Sequence, residues 1–406
     1  MDELFYLVDS AQPFNAAATF SNTSLFSIIP VSSTTAFPPT CNAGAPNPCS
    51  IYSPHGIESN YKIPTNEAWT FTIEQQLTRD MSLRLGYLGF QGYHAPIQID
   101  PDQIAAQVCS NPAGCVAGGV NAARSTVPQG AQYIPVGTRP NPYLGSGIFN
   151  ISAGNSNYNA LQVDLAKRLS KGLQFRTNFT WSKSFDMGTA LTNPTGANNE
   201  GGMMDITNFR KDWSLSNLDV KYQLSANVSY ELPMGQGKTF FGNAYGVTDK
   251  LASGWQVNSI VTALTGFPVT ALIGANQSGT GNTSSPDRAS WNPAFTGNPI
   301  IGSVQQWFNP QAFILPAPGT FGNTARNILR GPGLVDWDFS VFKNTHLTER
   351  LGLQFRAEFF NILNHTNLGF PSQVVFSGSA YSSSAGAITR TATTSRQIQF
   401  SFKLMF

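Results

Sequence analysis

Leu218-Asp-Val-Lys-Tyr-Gln-Leu-Ser-Ala-Asn-Val-Ser-Tyr-Glu-Leu232 alternates apolar and polar side chains without interruption. Leu218, Val220, Tyr222, Leu224, Ala226, Val228, Tyr230 and Leu232 share one parity; Asp219, Lys221, Gln223, Ser225, Asn227, Ser229 and Glu231 share the other. Successive side chains of an extended strand point to opposite faces, so each parity is a face. A run this long exceeds the soluble strand of about 5–6 residues. It suits a tilted transmembrane strand of about 9–11 residues that continues past the bilayer. The chain ends in the same way. Ile398, Phe400, Phe402, Leu404 and Phe406 lie on one face, opposite Gln397, Gln399, Ser401, Lys403 and Met405.

Comparable segments occur at 69–77, 82–90, 158–169, 172–182, 217–232, 255–271, 335–342, 350–361 and 395–406. The segment 255–271 has apolar residues on both faces, and Gln75 and Lys167 fall on otherwise apolar faces. Lys167 is near a strand end, where a long side chain can carry its charge back to water. Short links at 78–81, 170–171 and 343–349 alternate with long ones at 91–157, 183–216, 272–334 and 362–394. Short turns on one side and long loops on the other mark an outer-membrane barrel, whereas a soluble sandwich turns every 8–12 residues or so on both sides. The link 233–254 is the exception, long where a short turn is expected. Threaded up and down, the chain places Trp69, Tyr87, Trp181 and Trp337 at the long-loop ends of lipid-facing positions. Tyr230, Trp255 and Phe406 fall at the other end, giving the two aromatic belts that bilayer interfaces favour.

Composition agrees. Charged residues are 11% of the 406, far below the roughly 25% of soluble proteins. The 29 Phe, 12 Tyr and 7 Trp argue against disorder despite 37 Gly and 26 Pro. A net charge of +2 with no basic cluster implies no nucleic-acid partner. The uncharged stretch between Lys250 and Asp287 is long enough for a membrane helix, but Gly254, Gly266, Pro268 and Gly274 among β-branched residues predict a strand and loop. The start does not read as a signal peptide, with Asp2 and Glu3 where basic residues belong, and predicts that the gene product begins upstream.

Cys41 with Cys49, and Cys109 with Cys115, sit in Pro-, Gly- and Asn-rich stretches without zinc-ligand spacing. They are candidate local disulfides of an oxidising compartment, with free thiols as the alternative. His55, His94, His346 and His365 are scattered, and no cofactor or metal site is expected. Gly237-Lys238-Thr239 mimics the end of a phosphate-binding loop, but Leu232 stands where the motif needs Gly. Asp336 and Asp338 share a face and read as polar interior residues rather than an acid pair.

Phe355-Arg-Ala-Glu-Phe-Phe-Asn-Ile-Leu-Asn-His-Thr-Asn367 resembles the penultimate-strand motif of TonB-dependent receptors, closest to the Oar-like, carboxypeptidase-regulatory-like domain-containing group. Tyr158-Asn-Ala-Leu-Gln-Val163, Asn178-Phe-Thr-Trp-Ser-Lys183 and Gly254-Trp-Gln-Val257 are similar to strands of that group. The ending Phe402-Lys-Leu-Met-Phe406 resembles the signal read by the barrel-assembly machinery, which makes Phe402, Leu404 and Phe406 candidate assembly residues. The resemblance covers most of 66–406. It implies the C-terminal part of a barrel of about twenty-two strands, and a TonB partner reached only through a plug domain absent from this chain.

The reading is therefore an all-β, antiparallel transmembrane β-barrel, partial, with about nine strands of a larger barrel and long extracellular loops. Residues 1–65 form a loop-rich segment, read as an extracellular loop of a truncated barrel, and 66–406 the barrel strands. Its partners are outer-membrane lipid, the assembly machinery and an unknown extracellular ligand, and its place is the bacterial outer membrane. The function expected is energy-coupled uptake when complete. A passive porin or adhesin-type barrel and a secreted soluble β-rich enzyme are the alternatives. No catalytic constellation supports the enzyme.

Overall fold

The computed structural model describes residues 53, 55–121, 123–188, 203–282, 287–348 and 351–406. Nine principal strands follow one another: β1 (Thr65–Thr78), β2 (Met81–Ile99), β3 (Ile148–Ser170), β4 (Leu173–Asp186), β5 (Tyr222–Glu231), β6 (Trp255–Leu264), β7 (Leu334–His346), β8 (Gly352–Phe360) and β9 (Gln397–Met405). Each is hydrogen-bonded to the next, antiparallel throughout. Two short strands bring the sheet to 11: His55–Ile57 runs parallel to the start of β3, and Ser214–Leu215 pairs with the end of β4. Strands β1 and β9 are its two edges and do not pair with each other. Of the segment 1–65, residues 1–52 and 54 lie outside the described residues.

Register decides whether the alternation of each strand adds up to a surface, because a slip of one residue would turn a strand inside out. It does add up. Ile73, Leu85, Val163, Phe179, Leu224, Ala263 and Val335 lie side by side across seven strands. The row behind them, on the opposite face, is Glu74, Arg84, Asp164, Asn178, Ser225, Thr262 and Asp336. Toward β9, Phe359 pairs with Ile398 and Phe355 with Phe402 on the apolar face, while Glu358 pairs with Gln399 on the polar one. One face of the sheet is thus predominantly apolar and the other mainly polar, with apolar exceptions such as Ile260 and Phe342 on the polar side, a division that suits a barrel between lipid and a wet interior.

Several polar groups on the apolar face find partners within the protein. Lys167 donates to the carboxylate of Asp80 in the β1–β2 turn, so its charge leaves the face at the strand end. Trp337 Nε1 donates to Ser259 Oγ at 2.8 Å, and Tyr87 to Asn159 at 2.6 Å. Such pairing is what lipid contact demands, since no water is there to replace a missing partner.

Two strands are shorter than the sequence reading at their loop-side ends. The alternation from 218 predicts a strand from 217, but β5 begins at Tyr222. Residues 216–221 leave the ladder because the Asp219 carboxylate is drawn to the backbone N–H of Ser184 at 2.6 Å and to Arg330. Likewise β6 stops at Leu264 rather than 271; Pro268–Val269 pairs instead with Leu329–Arg330. In the other direction, β3 is longer than expected, with 23 residues. At about 3.3 Å per residue it is far longer than a bilayer's apolar core of roughly 30 Å. Its first half therefore projects beyond the membrane zone. No helix among the described residues is long and apolar enough to cross a membrane.

All four long connections leave the same end of the sheet, and the turns at 79–80 and 171–172 leave the other. Among the described residues the larger apolar core lies in the connections rather than between strands. Val269, Ala271, Ile273, Ala289, Phe308, Phe313, Leu329, Val375 and Phe376 cluster there, drawn from the β6–β7 and β8–β9 links.

Candidate functional site

The long connections build one cap at the loop end. Backbone hydrogen bonds cross between them: Ile104 N–H to Thr280 O at 2.8 Å, Ile134 N–H to Gly319 O at 2.8 Å, and Val375 N–H to Leu272 O at 2.8 Å. At one crossing the chains nearly touch. A Cβ on Gly119, which has φ +56°, would stand 1.9 Å from the Gly279 carbonyl oxygen, so only glycine fits.

Ion pairs to buried carboxylates hold the same body together. Arg139 reaches Asp100 at 3.0 Å and Asp102 at 3.1 Å. Arg288 pairs with Asp212, Arg326 with Asp186, Arg330 with Asp219, and Lys211 with Asp205 at 2.8 Å. Arg326 also donates to the carbonyls of Asp186 and Asp212 at 2.9 and 3.0 Å, tying the β6–β7 link to the end of β4 and to the β4–β5 link. Each guanidinium offers five donors in a fixed fork, so it can satisfy a carboxylate and main-chain carbonyls together. Asp287 is different: burial raises its pKa to about 6, against opposing hydrogen bonds from Ser278.

A cavity of about 340 Å³ opens where the cap meets the strands. Leu264 and Leu334, both on the polar-face parity at the tops of β6 and β7, line it with Phe267, Pro332, Phe370 and Arg390. The lining is apolar with one exposed cation. Elsewhere in the cap, Gln103 and Asn150 bury side-chain amide atoms without a partner in the protein, positions where a water or a ligand's polar group fits.

The residues singled out from the sequence fall into place unevenly. Cys109 and Cys115 are joined by a disulfide inside the cap, packed with Ala117 and Val127. Cys41 and Cys49 lie outside the described residues. Phe402 and Leu404 lie on the apolar face of β9, with Phe402 5.1 Å from the Phe355 ring; Phe406 is exposed. The Asn361-to-Asn367 run acts as a staple. Asn361 clasps the backbone of His365 in both directions, at 2.9 Å each, and Asn367 does the same to Val335 at 2.8 and 2.9 Å. His365 Nδ1 contacts Asn367 at 3.0 Å, which leaves it a loop-holding role. Asp338 accepts from Asn361 N–H at 3.0 Å, and no His/Cys/Asp/Glu group among the described residues could hold a metal. The arginines of the cap were missed. Their scarcity in loops otherwise poor in charge was the available signal.

Comparison with known proteins gives three findings. The family model described as outer membrane beta barrel domain matches residues 2–399. No curated protein matches the chain. Among solved structures, the outer membrane transporter YddB from Escherichia coli is similar at 10% identity and a TM-score of 0.42, over 85% of this chain and 33% of that one. The FrpB iron transporter from Neisseria meningitidis is similar at 8% identity and 0.37, over 87% and 33%. The ferripyoverdine receptor of Pseudomonas aeruginosa is similar at 10% and 0.35, over 84% and 27%. The chain thus spans about a third or less of these structures' lengths.

Proposed function

The chain belongs to the outer membrane β-barrel family, and from that premise we propose that it is the C-terminal barrel portion of a TonB-dependent, Oar-like receptor that takes up an extracellular ligand. The family sets its place in the bacterial outer membrane; a transport or receptor role rather than an enzymatic one is part of the same proposal. The apolar face meets lipid and the polar face the interior.

The cap carries the receptor reading. A passive pore needs loops only to shape its mouth. Here an apolar core shared by two connections, Arg–Asp pairs to a third and backbone hydrogen bonds to the fourth fuse them into one body, at a cost in ordering that a binding surface justifies. The cavity beside Leu264 and Leu334 faces inward from that body, where a captured ligand would pass toward a plug. Its apolar lining and Arg390 suit a ligand with an apolar body and an anionic group. The penultimate-strand motif and the terminal aromatic strand supply the further likeness to TonB-dependent receptors.

Uptake in the native host tests this. Compounds drawn from the medium by the parent strain should persist when the gene for this barrel is deleted, and the same compounds should persist when TonB is deleted. Continued uptake through the barrel without TonB would make it a passive pore.

A further inference from the structure

Residues 232–254, between β5 and β6, fold into a compact body at the turn end. Gly235 N–H donates to Phe240 O at 2.8 Å, and Phe240 N–H to Pro233 O at 2.9 Å, closing a tight loop. The short helix α1 (Val247–Ala252) follows, and its Asp249 ties the two halves. That carboxylate accepts Gln236 N–H at 2.7 Å and the Ser253 hydroxyl.

The body stands on the lipid side of the sheet. Trp255 pairs with Lys343 in the apolar rows, and both side chains are taken up by α1 and the residue after it. Trp255 Nε1 donates to Leu251 O at 2.8 Å; Lys343 Nζ donates to Lys250 O at 2.7 Å and to Ser253 O. The helix's last carbonyls thus receive a cation that would otherwise face lipid. Beside this contact, Phe240, Phe241, Tyr245, Val247 and Leu251 are all more than half exposed, up to 75% at Val247. Val247 and Leu251 are one turn apart and share a helix face. Lys238 and Lys250 are exposed around them, whereas Asp249 is consumed internally.

We propose that residues 232–254 are an interfacial foot, seated in the headgroup–acyl boundary of the periplasmic leaflet. Its apolar side chains enter the boundary and its lysines meet phospholipid phosphates. Two observations select a lipid surface over a protein. The exposed apolar residues continue the face that lipid already covers, at the level of Trp255, and the free charges around them are cationic. A protein seated there would have to displace lipid from that face.

The test uses the natural protein, purified from outer membranes and reconstituted in vesicles of phosphatidylethanolamine and phosphatidylglycerol. A spin label is placed at V247C or L251C, with V116C on the cap as the water-exposed reference. Collision rates with oxygen and with a water-soluble nickel chelate are then compared. Both sites are exposed, and heat-modifiable migration confirms that each variant is folded. The oxygen-to-nickel ratio at 247 and 251 should be several-fold above that at 116. A ratio equal to that at 116 would place the foot in water and overturn the proposal. Low collision rates with both reagents would show a protein cover, a second copy if dipolar broadening accompanies them, and would overturn it too.

Discussion

Replacing Arg326 by Met asks whether the cap is one cooperative body. The guanidinium is 3% exposed and its partner Asp186 9% exposed, so the substitution strands a carboxylate away from water. It also removes donors from the carbonyls of Asp186 and Asp212. Gly188 N–H remains on Asp186 at 3.0 Å, which softens the loss without neutralising the charge. Breaking one side of a buried pair destabilises by about 3–5 kcal/mol, or roughly a hundredfold to several thousandfold in the local opening equilibrium. The loss should appear as faster amide hydrogen exchange in 203–221 and 316–333, with β7–β9 unchanged, because the pair joins a connection to the end of β4 and touches none of those three strands. The double variant Asp186→Asn, Arg326→Met should recover part of the protection, since no charge is then left unpaired. Cap exchange within about threefold of wild type in R326M, or acceleration confined to the strands, would show that the cap is not one cooperative body.

The pH response of the cap should carry the signature of Asp287. A carboxyl raised from 3.8 to about 6 by burial binds its proton more tightly when folded. Its contribution is then fully present below pH 4 and lost as pH rises through 6, by an order of about 3 kcal/mol. Cap exchange in wild type relative to Asp287→Asn should therefore be slower, relatively, at pH 4.5 than at 7.5; an unchanged ratio would contradict this. Mass spectrometry of unreduced peptides should find Cys109 linked to Cys115, and Cys41 linked to Cys49, with no alkylatable thiol in protein from outer membranes. Deletion of Phe406 should lower the amount of protein in the outer membrane far more than the heat stability of what has folded. One exposed aromatic contributes at most about 3 kcal/mol, and normal surface levels would show that it is not an assembly residue.

The strands were legible because a membrane enforces them. Lipid on one side and water on the other impose period two on each crossing, and all nine segments read that way are the nine principal strands. Their loop-side ends were not legible. Once above the bilayer, β3 runs through Ile148-Phe-Asn-Ile-Ser-Ala-Gly-Asn-Ser-Asn157, where the cap rather than lipid decides what is covered. The cap itself left little trace. Its core combines Val269, Phe308 and Val375 from two connections with no shared period, and Arg326 is 140 residues from Asp186. Contacts of that kind arise from topology, which a single sequence does not display. The 232–254 link was visible as an anomaly of length. That it folds outward depends on Lys343 and Trp255, whose partners are backbone carbonyls and so have no sequence signature.

The sheet crosses the outer membrane with its apolar rows on lipid. A spin-label scan through β5, Tyr222 to Glu231, in the reconstituted protein tests it most directly. Oxygen accessibility should rise at 222, 224, 226, 228 and 230, and nickel-chelate accessibility at 223, 225, 227, 229 and 231, with a period of two maintained along the strand. Equal accessibility at both parities, or the inverse alternation, would show that the apolar rows do not face lipid.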